Sequence, residues 1–214
     1  MRDDSLTSGY RVAIVTLDAH AAGPCARVEA RLADEFPGLS LTVHAAAEWA
    51  ENEAALAEAR DAVLKADIVI ANLLFIEEHL TAIMPELTRA RETADAFVGM
   101  VADGQVVKLT KMGDLDMAKP SSAAVRLLKK LRGSSKPSGA SGEKQMKLLR
   151  RLPRILRFIP GKAQDLRAWF LMMQYWLGGS DDNVEEMIRF LLSRYADRTE
   201  WRGTKAKAPV DYPD

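Results

Sequence analysis

The sequence contains one cysteine, Cys25, among 214 residues. An internal disulfide is impossible, and a reducing, cytoplasmic compartment is the expectation. Histidine is almost as scarce, with His20, His44 and His79 only, and none stands at a metal-ligand spacing from another. No apolar run approaches the roughly 18–20 residues a membrane span requires; the longest are Ile68–Ile76, broken by Asn72, and Ala168–Met173. The opening MRDDSLTSGY lacks an apolar h-region, so no secretory signal is expected. No G-x-G-x-x-G follows a strand pattern and no G-x-x-x-x-G-K-[ST] occurs. The usual loops for NAD and ATP are thereby excluded.

Net charge is also lacking, since 30 Lys+Arg balance 30 Asp+Glu. The balance hides an asymmetry. Residues 1–107 carry 8 Lys+Arg and 18 Asp+Glu, whereas residues 108–214 carry 22 and 12. Such a split implies regions with different partners, or regions that face each other. With 48% hydrophobic residues the chain is globular, with room for one domain and an extension or for two small domains.

The first half alternates strand and helix patterns. Arg11–Leu17, Leu39–His44, Ala66–Phe75 and Ala96–Val101 read as strands, the third apolar enough to be covered on both faces. Helical patterns lie between them: one from Pro24 to Phe36 stopped by Pro37-Gly38, Ala-rich Glu51–Lys65, and Glu77–Thr93. This predicts an α/β fold, a four-stranded parallel flavodoxin-like or Rossmann-like sheet over residues 8–118, followed by a C-terminal helical extension. A basic helix and flexible linker over 119–142, a helical region over 143–197 and a linker over 198–214 complete the expected organisation.

Ligands of such sheets bind beyond the carboxyl ends of the strands. The candidate loop residues are therefore Asp18 and His20 after the first strand, and Asn72, Glu77 and Glu78 after the third. Asp18-x-His20-x-x-Gly23 resembles the D-x-H-x-x-G signature of cobalamin-binding domains, in which the histidine ligates cobalt. Its companion third-strand S-x-L site reads Ala71-Asn72-Leu73, however, and no Gly-Gly follows the fourth strand. The plainer reading is that Asp18 and His20 bond loop backbone. Asp18 with Lys111 would suit a phosphoacceptor, but the third strand ends on Asn72 rather than on an aspartate.

In the second half, Gly133–Gly142 has linker composition between a short basic helix, Ser121–Leu131, and a pattern of Met146, Leu149, Leu152, Leu156 and Ile159 interleaved with Lys and Arg. Such a basic amphipathic stretch can serve a membrane surface or nucleic acid. An acidic first half of matching magnitude favours a solvated or internally paired face instead, and no nucleic-acid partner is expected. Trp169, Met172, Met173 and Trp176 form a stripe at helical spacing, suited to core packing or to a flat macrocycle. Gly178-Gly179 stops that helix, and Asp182-x-x-Glu185 has the form of a capping box for the next, Val184–Tyr195. Arg198–Asp214 is polar, without apolar periodicity.

Several blocks in fixed order resemble the N-terminal region of the large, porphyrin-binding (H) subunit of magnesium chelatase. They are Leu73-Leu-Phe-Ile-Glu-Glu78, Lys108-Leu-Thr-Lys-Met-Gly113, Lys147-Leu-Leu-Arg-Arg-Leu-Pro153, Lys162-Ala-Gln-Asp165 and Gln174-Tyr-Trp-Leu-Gly-Gly-Ser180 with Asn183. The Val12–Leu17 strand with Asp18 and the Val101-Ala-Asp103 region look most like the purple-bacterial, bacteriochlorophyll-making version. The resemblance implies a complex that inserts Mg²⁺ into protoporphyrin IX with ATP hydrolysis by two AAA+ subunits. It further implies the downstream body of the same large subunit and a Mg-protoporphyrin methyltransferase as partners. The family's porphyrin cleft and metal-insertion residues lie in that body. The resemblance therefore transfers a head region with no catalytic residue and no cofactor of its own.

Overall fold

The computed structural model describes residues 9–17, 19–119 and 163–210. Asp18, the basic helix expected over 121–131, the Gly133–Gly142 linker and the pattern over 146–159 lie outside the described residues.

Four parallel strands form the expected core: β1 (Tyr10–Thr16), β2 (Leu39–Ala45), β3 (Ile68–Asn72) and β4 (Ala96–Met100). The helices between them are α1 (Ala22–Leu32), α2 (Glu53–Lys65) and α3 (Glu77–Thr93). A short α4 (Gly104–Lys108) leads to two-residue strands β5 (Lys111–Met112) and β6 (Leu115–Asp116), an antiparallel hairpin that extends the sheet to six strands in the order β2-β1-β3-β4-β5-β6. That hairpin is too short for a periodicity reading to register. Helix α1 ends at Leu32, short of the expected Phe36. Phe36 folds back so that its N–H donates to the Leu32 carbonyl (2.8 Å) and its ring is fully buried.

Side-chain alternation divides the strands between two cores. Val12, Ile14, Ile68, Ile70, Ala96, Val98 and Met100 point into one, and Ala13, Val15, Val69, Ala71 and Phe97 into the other. Every residue of β3 and β4 is buried, since helices cover both faces. Helices α2 and α3 supply the second core with Ala59, Val63, Ile83 and Leu87. The first is covered by α1 together with two C-terminal helices, α5 (Ala163–Gly178) and α6 (Asp181–Tyr195). In α6 the buried Val184, Met187, Ile188, Leu191 and Leu192 keep the spacing of a core-facing stripe. Its N-cap is Ser180, whose hydroxyl accepts from the Asn183 N–H (3.1 Å), and not the Asp182/Glu185 box. Asp181 and Asp182 instead occupy the first turn, where the helix dipole favours negative charge.

Where α1 meets α6, the ion pairs run against the net charges of the two halves. Arg27 and Arg31 of the acidic half reach Asp181 (2.5 Å), Asp182 (3.0 Å) and Glu185 (3.2 Å) of the basic half. Among the described residues, only Arg189 to Glu35 (3.0 Å) runs in the expected sense at this seam. The surplus positive charge belongs to residues 120–162, which hold 12 Lys+Arg and one Glu in sequence. The seam is thus built from local complementarity and not from the halves' totals.

Residues 198–210, polar and aperiodic, are docked onto the fold. Trp201 is 5% exposed and meets Tyr10 and Phe36 edge-on, with centroids at 5.0 and 5.3 Å. Further along, the Tyr175 hydroxyl donates to the Lys207 carbonyl, and the Asn183 side chain exchanges two hydrogen bonds with the Val210 backbone (2.9 and 3.0 Å).

Candidate functional site

In the order β2-β1-β3-β4, the chain leaves β1 toward one side and returns to β3 on the other. The carboxyl ends of β1 and β3 therefore form the switch point at which such sheets take ligands. Register brings their last residues, Thr16 and Asn72, side by side, since Val15 lies opposite Ala71. The Thr16 hydroxyl donates to Asn72 Oδ1 at 2.8 Å. Asn72 is fully buried, and its Nδ2 has no partner among the described residues. An orphaned buried amide donor costs about 1–3 kcal/mol. It is a group that a ligand acceptor or a water would satisfy.

The loops above it are strained. Leu73 has φ +54° and Val101 φ +46°, both in the left-handed region. For a β-branched residue this is a true outlier, and each such residue costs on the order of 1–3 kcal/mol. Two backbone bonds tie the strained loops together: Leu73 N–H to the Val101 carbonyl (2.9 Å) and Asp103 N–H to the Leu74 carbonyl (2.8 Å). Asp103 also caps α4, its carboxylate accepting from the Gln105 N–H at 2.8 Å. The twist buries Leu74 and turns Phe75 (57% exposed) and Ile76 (45%) outward, just ahead of exposed Glu77 and Glu78 in the first turn of α3. His79, in the first turns of α3, meets Trp49 edge-on at 6.0 Å, and His79 Nδ1 and Trp49 Nε1 are both buried without partners among the described residues.

The structure brings Asn72, Glu77 and Glu78 to this edge, and His20 lies exposed in a 3-10 turn after β1. Lys111 does not join them. It stands on β5 opposite Phe97, near the amino end of β4, with Glu92 at 3.8 Å. The aromatic stripe is core: Trp169 is 7% exposed and donates from Nε1 to the Gly99 carbonyl (2.9 Å), while Met173 and Trp176 pack half-buried against the same cluster. Cys25 is buried, and burial, followed by Asp181, pushes its thiol up to about 11, which disfavours the thiolate. His44 bonds the Thr42 hydroxyl (3.1 Å); burial lowers its pKa, with Glu58 opposing. Among the described residues no three His, Cys, Asp or Glu side chains come together as a metal site.

Asn72, Glu77 and Glu78 are the expected residues that stand at this edge, whereas Thr16, Phe75, Ile76 and Val101 were not among those expected. Thr16 was within reach, as the last residue of a strand that pairs with β3. The strain carries no sequence signal, because neither position is Gly or Asn. The cobalamin alternative has a direct check. Added cobalamin is expected to keep its visible spectrum in the presence of the protein. A saturable spectral shift abolished by His20→Ala would instead establish a cobalt ligand.

Residues 11–170 match the family model described as "Domain of unknown function (DUF3479)". The chain is 66% identical over 208 residues to the magnesium-chelatase H subunit of Cereibacter sphaeroides, covering 97% of this chain and 17% of that protein. It is 66% identical over 206 residues to the magnesium-chelatase H subunit of Rhodobacter capsulatus, covering 96% and 17%. The chloroplastic magnesium-chelatase protein ChlH of Oryza sativa subsp. indica is 30% identical over 153 residues, 70% of this chain and 11% of that one. The chain thus spans about a sixth of the length of its bacterial relatives. No helix among the described residues is long and apolar enough to cross a membrane. The blocks read from the sequence and the two bacterial matches agree, and the chain belongs to the DUF3479 family, resembling a region of the magnesium-chelatase H subunit over nearly its whole length.

Proposed function

We propose that this chain forms the non-catalytic head of a magnesium-chelatase H-type subunit, the component that binds porphyrin while Mg²⁺ enters protoporphyrin IX at the expense of ATP. The 66% identity over 97% of the chain carries this reading. Its partners are then the remainder of that large subunit, the two AAA+ chelatase subunits and the methyltransferase that takes Mg-protoporphyrin onward. Insertion requires a base for the pyrrole protons and several ligands to hand over a reluctantly dehydrating Mg²⁺. In this reading those groups belong to the remainder of the large subunit. The strained β3–α3 loop, with Phe75 and Ile76 exposed beside Glu77 and Glu78, is the head's contribution as a docking edge toward that remainder.

The test follows Mg-protoporphyrin fluorescence with this chain, the two AAA+ subunits, ATP, Mg²⁺ and protoporphyrin IX, beside a full-length H-type protein. Signal is expected only with the full-length protein. Turnover by this chain would place the chemistry in the head and overturn the proposal.

A further inference from the structure

Between the last turns of α6 and the segment 202–206 lies a solvent-open groove of about 510 Å³. Its walls are Arg194, Arg202 and Lys205, with the hydroxyl residues Ser193 and Thr204 and the ring of Phe190 between them. The segment is held at both ends. Trp201 is locked edge-on against Tyr10 and Phe36. Lys207 donates its N–H to Glu186 Oε2 (2.8 Å) and accepts from the Tyr175 hydroxyl. Gly203, at φ +98°, allows the turn between the two anchors.

The cations of this groove are not used up by the fold. Arg194 is positioned through Nη2 on Asp165 (3.1 Å) and Nε on the Tyr195 hydroxyl (3.1 Å), and its guanidinium lies 6.0 Å from the Phe190 ring centre. That leaves Nη1 uncommitted among the described residues. Arg202 and Lys205 are exposed, and their side chains make no hydrogen bond or ion pair there. Elsewhere on the fold Arg27, Arg31, Arg91 and Arg189 are all paired with carboxylates. The groove therefore sets two uncommitted cations, Arg202 and Lys205, beside Arg194, whose ion pair with Asp165 leaves one guanidinium nitrogen open among the described residues.

We infer that this groove docks an acidic polypeptide segment of a partner protein, its carboxylates meeting Arg194, Arg202 and Lys205 in succession. Arginine forks match carboxylates in two-point geometry. Cations spread along a strap and an open trough suit an extended chain better than a compact anion, because small-ligand sites enclose most of their ligand. Pinning both ends of the strap lowers the entropy lost on association.

The experiment measures anisotropy of a fluorescein-labelled decaglutamate peptide titrated with the 214-residue chain, with inorganic tripolyphosphate in a parallel arm. Residues 120–162 hold 12 Lys+Arg and could attract the same peptide, so Lys129→Glu/Lys130→Glu is run beside Arg202→Glu/Lys205→Glu. Arg202 and Lys205 are exposed and unpaired among the described residues, so reversing them should leave the thermal midpoint unchanged. Decaglutamate binding is expected to fall on the order of tenfold in Arg202→Glu/Lys205→Glu and to change little in Lys129→Glu/Lys130→Glu. It should also weaken with added salt. Unchanged affinity in Arg202→Glu/Lys205→Glu overturns the inference. So does tripolyphosphate occupying the groove while decaglutamate does not.

Discussion

Trp201→Ala is expected to lower the stability of the protein by about 3–5 kcal/mol, the range for truncating a buried tryptophan. For a chain of this size that corresponds to roughly 6–20 °C in the melting midpoint. The indole is 5% exposed and fills the space between Tyr10 at the start of β1 and Phe36 after α1. Truncation leaves a cavity between these two aromatic rings, so a cavity term adds to the transfer term. The variant also frees one anchor of the 202–206 strap. Val210→Ala, at a residue 60% exposed, is the matched control and should shift stability by no more than about 0.5 kcal/mol. Urea or thermal unfolding of both variants decides the matter. A loss below about 1 kcal/mol in Trp201→Ala would mean that residues 198–210 merely rest on the core.

Gly99→Ala should cost on the order of 3–5 kcal/mol, combining overpacking with disturbed hydrogen bonds. An added Cβ at Gly99 would come 2.3 Å from the Val106 carbonyl oxygen and 2.9 Å from its carbon. These are backbone atoms of α4, so no rotamer change relieves the contact. Moving α4 also drags Thr110, whose hydroxyl accepts from the Gly99 N–H and donates to the Gly99 carbonyl, both at 3.0 Å. Those bonds stand in for a ladder at this point of the edge, since β5 pairs only with Ala96 and Phe97. Trp169 bonds the same carbonyl, so the disturbance reaches α5. Gly104→Ala is the control, because a Cβ there meets nothing within 4 Å. Chemical denaturation should show a large drop for the first variant and almost none for the second. Equal stability of the two would refute the close approach of α4 to β4.

Much of the α/β core was legible in the residues. Helix α3 falls on Glu77–Thr93 as its apolar spacing indicates, despite Pro85 within it. The four parallel strands lie within a few residues of the β-branched runs that announced them. Burial on both faces of β3 leaves a continuous apolar run, and burial on one face of a helix leaves a 3.6-residue stripe. Such patterns are local, and a sequence displays them directly. Asn72 was legible for the same reason, as a polar interruption at the end of an apolar strand.

What only the tertiary structure decided depends on segments distant in the chain. Lys111 reads as a neighbour of the site until the antiparallel hairpin sets it near the amino end of β4. Trp201 sits in a polar, aperiodic tail, and its burial follows from a pocket built by Tyr10 and Phe36, more than 160 residues earlier. The α1–α6 ion pairs run against the opposite charge totals of the two halves, because pairing answers to the few side chains in contact. The left-handed Leu73 and Val101 are held by bonds between two loops and by no preference of their own. By itself the sequence determined which segments are strands and helices and which faces they bury, since those follow from periodicity and the hydrophobic effect. The site's strain, its orphaned amide and the docked tail were decided by the tertiary structure, because each is a relation between groups that meet only once the chain is folded.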